Sequence, residues 1–441
     1  NIIPLLIKAM KPSKLSLIFL LAMMAFTTKA QEGAWSGSLD VFGTKLPLVF
    51  NFSQNGCTID SPSQNAKDIP ADKKENDDGT ITVTIGMIGA KYEGKMENGE
   101  IKGTFRQNDL SLPLTLTPGK PVVKRPQTPV PPYPYKEENV SFTNAGYTFN
   151  GTLTLPENSS KNTPVVLMVT GSGQQNRDEE LFDHKPFAVI ADALARHGIA
   201  SLRYDDRGWG DSNVNFANFT TEDFRQDAAA ALPLLRSRFN KVGILGHSEG
   251  ATIAMMLAFG GKADFVVSLA GMAISGKETL LMQNRHSLSS LGLPEPMIDA
   301  YCKTLGNALD EIVHGKKAIE IATEEVPMGM KPVLAAALKQ AETPYIRYFL
   351  TIDISKLLPT IKCPVLALNG TKDTQVDCAA NIEELQKGLT SCKHTISKID
   401  GVNHLFQHST TGDVAEYQQI EETVAPEVLQ AITDWIKTTA N

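Results

Sequence analysis

The sequence has no excess of basic residues. Its 441 residues contain 42 Lys and Arg against 49 Asp and Glu, which gives a net charge of -7. Because nucleic-acid phosphates are bound through basic surfaces, this balance argues against a nucleic-acid partner. The sequence also lacks a phosphate-binding loop, a dinucleotide fingerprint and a cluster of metal-ligand residues. It therefore predicts no metal and no other cofactor.

Cysteine is scarce, and its number is odd. Five cysteines allow at most two disulfides, and their spacing does not select the partners. No two of them have the Cys-x-x-Cys spacing of a metal or redox site. We therefore expect structural thiols, with Cys363 packed at the start of a buried strand.

Long apolar runs are also missing. The run from Leu15 to Phe26 has twelve residues, whereas a bilayer span needs about 20. Three lysines precede this run and small residues follow it at 28 and 30, which is typical of a cleaved signal peptide. We predict a signal peptide at residues 1–30 and a periplasmic or secreted protein that makes no stable membrane span. The alternative is a stable N-terminal membrane anchor.

Residues 31–117 alternate with period two. Apolar side chains recur at every second position in residues 46–52 and 81–85, as in half-buried strands. Asn98-Gly99 is typical of a hairpin turn with positive φ. The polar run at residues 61–79 predicts a long exposed loop. We expect a small antiparallel β domain, either a sandwich or a partly open barrel, that serves for packing and spacing or binds a substrate or surface.

A proline-rich stretch follows the β domain. Seven prolines occur between Pro118 and Pro134, too many for the backbone hydrogen bonds of a helix or sheet. We predict a semi-rigid linker at residues 118–138 and a domain boundary there.

Residues 139–441 alternate between strand and helix patterns. This alternation predicts an α/β fold with a mainly parallel sheet, whose functional loops lie at the carboxyl ends of the strands. Between Gly271 and Leu358 the alternation gives way to mostly helical sequence that is rich in Met and Ala.

The most informative stretch of this domain is Gly246-His-Ser248-Glu-Gly250. It lies between a short apolar strand pattern and an apolar helix pattern. In such a strand-turn-helix context the turn exposes a strained serine as a nucleophile, and side chains at 246 and 250 would collide with the neighbouring strand and helix. The alternative is a structural turn without chemistry.

A serine nucleophile needs a general base and an acid that orients the base. Asp373 follows the strand pattern that ends at Gly370, and His404 follows the next strand pattern. We predict Asp373 as the acid and His404 as the base. Asp377 and His408 are the alternatives for the two roles.

Together these segments resemble the α/β-hydrolase superfamily, in which the triad occurs in the order Ser, Asp, His. The stretches 169–178, 203–212 and 345–353 are similar to the bacterial branch that joins esterase D-like enzymes to serine aminopeptidases. The resemblance covers residues 140–437 and implies a carboxylic-ester hydrolase. It also implies that the helical stretch, at about 272–358, forms a lid over the site.

The resemblance further implies an oxyanion hole with two donors. One is the backbone N–H of Glu249, the residue after the nucleophile. The other comes from the glycine-rich loop at 171–173, where Ser172 is the first choice and Gln174 the second. His247 is expected to point away from Ser248 and to support the turn.

The sequence predicts an exported serine carboxylesterase that hydrolyses short-to-medium acyl esters of small molecules through an acyl-enzyme. The alternative is a serine exopeptidase or acylaminoacyl peptidase, in which an acid such as Glu249 would bind the substrate amino group. A binding or scaffold protein with a degenerate hydrolase fold is disfavoured because all three triad residues are present. Nothing in the sequence specifies the oligomeric state.

Overall fold

The structure is a computed structural model, and it describes residues 32–41, 44–53, 56–64, 66–108, 110–120, 123–321 and 326–440. The chain divides between Val123 and Lys124 into two compact units. The signal peptide predicted at residues 1–30 lies outside the described residues. Among the described residues, no helix combines the length and apolar character needed to cross a membrane. All five cysteines are described, and all are free thiols.

The first unit is an antiparallel barrel. Its strands are β1 (Gly33–Val41), β2 (Thr44–Ser53), β3 (Gly56–Ser61), β4 (Ala66–Glu75), β5 (Thr80–Ile85), β6 (Ala90–Glu97), β7 (Glu100–Gln107) and β8 (Leu110–Pro118). Each strand pairs with the next, and β1 also pairs with β8, so the barrel is closed rather than partly open. Alternate side chains fill its interior, among them Phe50, Ile81 and Tyr92. Short 3-10 helices occupy Pro62–Gln64 and Gly86–Ile88.

Two local predictions for this unit have different outcomes. The Asn98-Gly99 turn joins β6 to β7 with φ of 53° and 83°, as predicted. The long exposed loop predicted at residues 61–79 is wrong, because β4 lies within it and pairs with both β3 and β5. Backbone pairing on both edges holds this polar strand in place, so its side chains carry little of the apolar alternation that marks other strands.

The second unit is an α/β domain built from eight strands and nine α-helices in its described residues. In chain order these elements are β9 (Tyr135–Asn144), β10 (Tyr147–Pro156), β11 (Val165–Val169), α1 (Pro186–Arg196), β12 (Ala200–Tyr204), α2 (Thr221–Arg236), β13 (Val242–His247), α3 (Glu249–Phe259), β14 (Val266–Leu269), α4 (Gly276–Ser290), α5 (Glu295–Val313), α6 (Lys331–Ala341), α7 (Pro344–Phe349), β15 (Val365–Gly370), α8 (Cys378–Gly388), β16 (His394–Ile399) and α9 (Pro426–Ala440). Further 3-10 helices occupy Phe216–Asn218, Ala318–Glu320, Met328–Met330, Ile354–Lys356, Leu358–Thr360 and Val414–Gln419.

The sheet of the second unit has eight strands in the order β16-β15-β14-β13-β11-β12-β10-β9. In this order the neighbouring strands from β16 through β12 pair parallel. Strand β10 pairs antiparallel with β9 and β12. Apolar clusters cover both faces of this sheet. The carboxyl ends of β11, β13, β15 and β16 therefore meet at one edge, and the predicted site residues lie on the loops that follow these strands.

Helices α4 to α7 form an insertion between β14 and β15, and they have an apolar core of their own. The segment before β9 is bound to the second unit through side chains. Arg125 donates to the carbonyl groups of Phe182, Gln418 and Ile420. Gln127 donates to the carbonyl of Val424. The later part of the predicted linker, 118–138, is thus attached to the α/β domain, and β9 begins inside it at Tyr135.

Candidate active site

Ser248 lies in a strained turn between β13 and α3. Its φ of 53° and ψ of -119° are unusual for a residue with a side chain. The backbone N–H of Ser248 donates to the carbonyl of Leu269 at 2.8 Å, which fixes the turn against β14. The serine side chain makes no capping hydrogen bond with the helix that follows. Its hydroxyl is therefore left for chemistry.

The two glycines of the turn are required by close backbone contacts. A Cβ at Gly246 would lie 2.0 Å from the carbonyl oxygen of Gly250. A Cβ at Gly250 would lie 2.0 Å from the carbonyl oxygen of Val169, on the adjacent strand β11. The prediction that side chains at these positions would collide with their neighbours is confirmed. The turn thus brings the start of α3 against the end of β11.

His404 and Asp373 form a buried hydrogen-bonded pair on the loops after β16 and β15. His404 Nδ1 lies 2.8 Å from Asp373 Oδ2. Asp373 Oδ1 accepts from the backbone N–H groups of Gln375 and Val376, both at 2.8 Å. The carboxylate is held from both sides, so it fixes the imidazole with Nε2 as the free ring nitrogen.

The competing residues have other partners. Asp377 caps α8, where its side chain accepts from the N–H of Ala380 at 2.8 Å. His408 is exposed and lies within 3.0 Å of carboxylate oxygens of Glu422 and Glu427. In the described structure Asp377 and His408 do not form an acid–base pair with each other. The geometry therefore favours Asp373 as the acid and His404 as the base.

The loop that carries His404 is tied to the residue before the nucleophile. His247 Nε2 lies 2.9 Å from the carbonyl oxygen of His404, and the two imidazole ring centres are 4.8 Å apart. Within the described residues, no hydrogen bond joins Ser248 Oγ to His404 Nε2. Such catalytic contacts are often long in unliganded enzymes and shorten when substrate binds.

The residues predicted for the oxyanion hole lie on the two loops next to Ser248. A Cβ on Gly171 would be 3.4 Å from Ser248 Cβ, so the loop after β11 passes directly beside the nucleophile. The N–H of Glu249 lies in the first turn of α3, where a helix offers it no acceptor. The N–H of Ser172 donates no hydrogen bond within the described part of the chain. Gln174 instead donates its side-chain amide to the carbonyl of Arg207.

A cavity of about 540 Å3 opens above this turn. Ser172, Ser248 and Glu249 line it from the sheet side, and residues of α4 to α7 contribute most of the rest. The lining contributed by these helices is mostly apolar or uncharged polar; it includes Leu280, Gln283, Leu309, Gln340 and Phe349. No Lys, Arg or His is among the described lining residues. Within the described residues no group of three or more His, Cys, Asp and Glu is placed to hold a metal ion.

Sequence reasoning missed Glu179, a buried residue of the loop after β11. Glu179 Oε1 accepts from the N–H of Gly171 at 2.6 Å and lies 3.0 Å from His247 Nδ1. The other nitrogen of His247 faces the carbonyl of His404, so both ring nitrogens face acceptors and both must donate. Burial lowers the pKa of His247, but the charge and hydrogen bond of Glu179, together with the carbonyl of His404 and the charge of Asp373, outweigh this and raise the pKa above its usual value. An imidazolium-carboxylate pair thus joins the oxyanion loop, the turn and the base loop.

Glu179→Gln is expected to lower kcat by roughly tenfold to a hundredfold with little change in KM. A neutral His247 cannot donate from both nitrogens, so either Gly171 or His404 loses its fixed partner, whereas the cavity lining is unchanged. Steady-state kinetics on a small ester and a thermal melt would measure this. Glu180→Gln, at the exposed neighbouring position, is the matched control. Equal kcat in the two variants would show that the buried pair does not position the site.

Comparisons with known proteins identify the family of the chain. The model of the alpha/beta hydrolase family matches residues 166–417, more than half of the chain. Esterase EstD of Thermotoga maritima is 31% identical over 275 residues, which span 60% of this chain and 60% of EstD. An esterase of Pyrococcus furiosus, Pf2001, is 15% identical with a TM-score of 0.44, over 73% of this chain and 100% of its own.

Est1E of Butyrivibrio proteoclasticus is 15% identical with a TM-score of 0.42, over 68% of this chain and 98% of its own. The family match includes the turn at Ser248 and the loops that carry Asp373 and His404. The resemblance inferred from the sequence is therefore confirmed, and the chain belongs to the alpha/beta hydrolase family.

Proposed function

We propose that the protein is a serine carboxylesterase that acts on short-to-medium acyl esters. The observation that carries the proposal is the position of Ser248, which lies in a strained turn on the floor of the cavity beside the loop of the His404–Asp373 pair. The 31% identity to esterase EstD supports the same reaction. Export to the periplasm or beyond the cell, proposed from residues 1–30, would place the substrate outside the cytoplasm.

The residues divide the reaction between them. His404 Nε2 takes the proton of Ser248 as Oγ attacks the ester carbonyl carbon, and the carbonyl electrons move onto oxygen. The N–H groups of Glu249 and Ser172 bind this oxyanion. The C–O bond to the alcohol then breaks, and His404 returns the proton to the leaving alcohol. Water then attacks the acyl-enzyme while His404 takes its proton. The bond to Ser248 Oγ breaks, His404 returns the proton to Oγ, and the carboxylic acid is released.

The cavity favours neutral acyl groups over amino-terminal peptides. The described residues that line the cavity include no Lys, Arg or His, so the cavity offers no positive partner for a carboxylate group of a substrate. An exopeptidase needs a negatively charged side chain to bind the ammonium group of its substrate. Among the described residues that line the cavity, Glu249 is the acidic one. Each oxygen of Glu249 already has a hydroxyl group of the chain itself as its hydrogen-bond partner. This occupation favours an esterase over an exopeptidase.

A rate comparison of p-nitrophenyl acetate, butyrate and octanoate with an aminoacyl p-nitroanilide tests the proposal. We expect the esters to be hydrolysed faster than the anilide, with acetate and butyrate preferred to octanoate, and all turnover to require Ser248. Faster turnover of the anilide would make the protein a peptidase. Ester turnover that persists in Ser248→Ala would refute the assignment of the nucleophile.

A further inference from the structure

The side chain of Glu249 is buried at the start of α3 and contacts hydroxyl groups. Its Oε1 lies 2.6 Å from Thr221 Oγ of α2, and its Oε2 lies 2.6 Å from the Tyr345 hydroxyl of α7. The residue is 4% exposed. A buried carboxylate is normally paired with a cation, and neither partner of Glu249 is one.

None of the charged groups described around Glu249 supplies a counter-ion. Asp206, on the loop after β12, is itself a carboxyl group, and burial raises its pKa. His247 precedes the turn, and Glu179 pairs with it. On α2, which supplies Thr221, the charged side chains form pairs of their own: Arg225 with Glu222, and Asp227 with Arg207. On α7 the facing titratable group is the Tyr345 phenol. Burial raises the pKa of Glu249, although its two hydroxyl partners oppose the shift.

Tyr345 connects the helical insertion to both oxyanion loops. It lines the cavity together with Ser172, Ser248 and Glu249. Its hydroxyl contacts the carboxyl group of Glu249 and also interacts with the side chain of Ser172. The Tyr345 hydroxyl therefore contacts the side chains of Glu249 and Ser172, whose backbone N–H groups are assigned to bind the oxyanion.

We propose that Tyr345 and Glu249 form a latch that fixes the helical insertion against the two oxyanion donors, and that this latch requires Glu249 as a neutral acid. Both are positioning residues, since they act through the backbone of Ser172 and Glu249. The inference rests on the proposed esterase function and adds to it a role for the insertion in catalysis.

The protonation state of Glu249 affects catalysis because Glu249 lies in the first turn of α3, beside the oxyanion. The first turn of α3 carries a partial positive charge that stabilises the oxyanion. An ionised Glu249 would compete with the oxyanion for this charge and would repel it across a short distance of low dielectric. As the pH rises through the raised pKa of Glu249, the acid loses its proton, and kcat is expected to fall.

The pH dependence of kcat in wild type and Glu249→Gln tests the neutral acid. In the wild type, kcat should fall on the alkaline side by on the order of tenfold per pH unit once the acid is ionised. Glutamine keeps the shape and hydrogen bonding of the neutral acid but cannot ionise, so its profile should lack this fall. A flat wild-type profile, or the same fall in Glu249→Gln, would overturn the requirement for a neutral acid. Circular dichroism across the pH range checks that each protein stays folded. If Glu249→Gln does not fold, the wild-type pH profile tests the neutral acid and the kcat of Tyr345→Phe tests the latch.

Tyr345→Phe tests the latch itself, with Tyr348→Phe on the same helix as the matched control. Loss of the Tyr345 hydroxyl should lower kcat by roughly tenfold to a hundredfold, with a smaller change in KM. Tyr348 is not among the described residues that line the cavity, so its variant should keep kcat within about twofold. A higher KM with unchanged kcat would make Tyr345 a substrate contact and overturn the latch, as would an unaltered Tyr345→Phe enzyme.

Ser248→Ala, measured alongside, separates the latch from the esterase proposal on which it rests. Turnover that does not depend on Ser248 refutes the esterase proposal. Turnover that depends on Ser248 but is insensitive to Tyr345 and Glu249 refutes the latch alone.

Discussion

Ser248→Ala is expected to reduce kcat/KM for p-nitrophenyl butyrate by roughly 10⁴- to 10⁶-fold. The substitution removes the nucleophilic oxygen and leaves the backbone of the turn as it is. The positive φ of 53° costs alanine about as much as it costs serine, and the lost hydroxyl makes no capping bond. The free energy of unfolding should therefore change by less than about 1 kcal/mol. Steady-state kinetics and urea unfolding measure the two effects separately.

Ser237→Ala is the control for this experiment, because Ser237 is exposed and its hydroxyl contacts only the carbonyl of Leu234 in the described structure. It should match the wild type in turnover. The account of Ser248 would be contradicted if Ser248→Ala retained more than about a tenth of wild-type activity, or if it lost activity only because it unfolded.

Asp373→Asn is expected to lower kcat by about 10⁴-fold while the protein stays folded. The oxygen Oδ1 of Asp373 faces two backbone N–H groups, so an asparagine must direct its oxygen there and its NH2 toward His404. His404 Nδ1 would then have to accept, and the proton would sit on Nε2. An imidazole in this tautomer cannot take the proton of Ser248. Kinetics across pH, together with a thermal melt, would measure the loss.

Asp377→Asn is the matched control, four positions along the chain. Its role is to cap α8, and asparagine is as good a cap as aspartate. We expect wild-type kcat from this variant. A large loss in Asp377→Asn with little loss in Asp373→Asn would exchange the roles of the two acids.

The parts of the fold that follow from local rules were predictable. The turn at Ser248 needs glycine at 246 and 250 because backbone atoms of adjacent residues approach within 2.0 Å of the Cβ positions, and the sequence shows those glycines directly. The loops that carry Asp373 and His404 were found because each follows a short strand pattern, which is apolar for the first and mixed for the second. The Asn98-Gly99 hairpin was found because its turn chemistry is local.

The parts that depend on distant contacts were not predictable. Glu179 reaches His247 across 68 positions of sequence, from a loop that turns through positive φ at residues 179, 182 and 183. Tyr345 reaches Glu249 across 96 positions. No periodicity records such contacts. A partial signal existed, because a histidine buried beside the nucleophile needs acceptors for its nitrogens, but the sequence does not say which acid provides one.

Covalent labelling tests most directly whether Ser248 forms the acyl-enzyme. The protein would be treated with a fluorophosphonate, digested and mapped by mass spectrometry, with Ser248→Ala treated in parallel. We predict one adduct, on Ser248, and none on the variant. An adduct on another serine, or equal labelling of Ser248→Ala, would contradict the account.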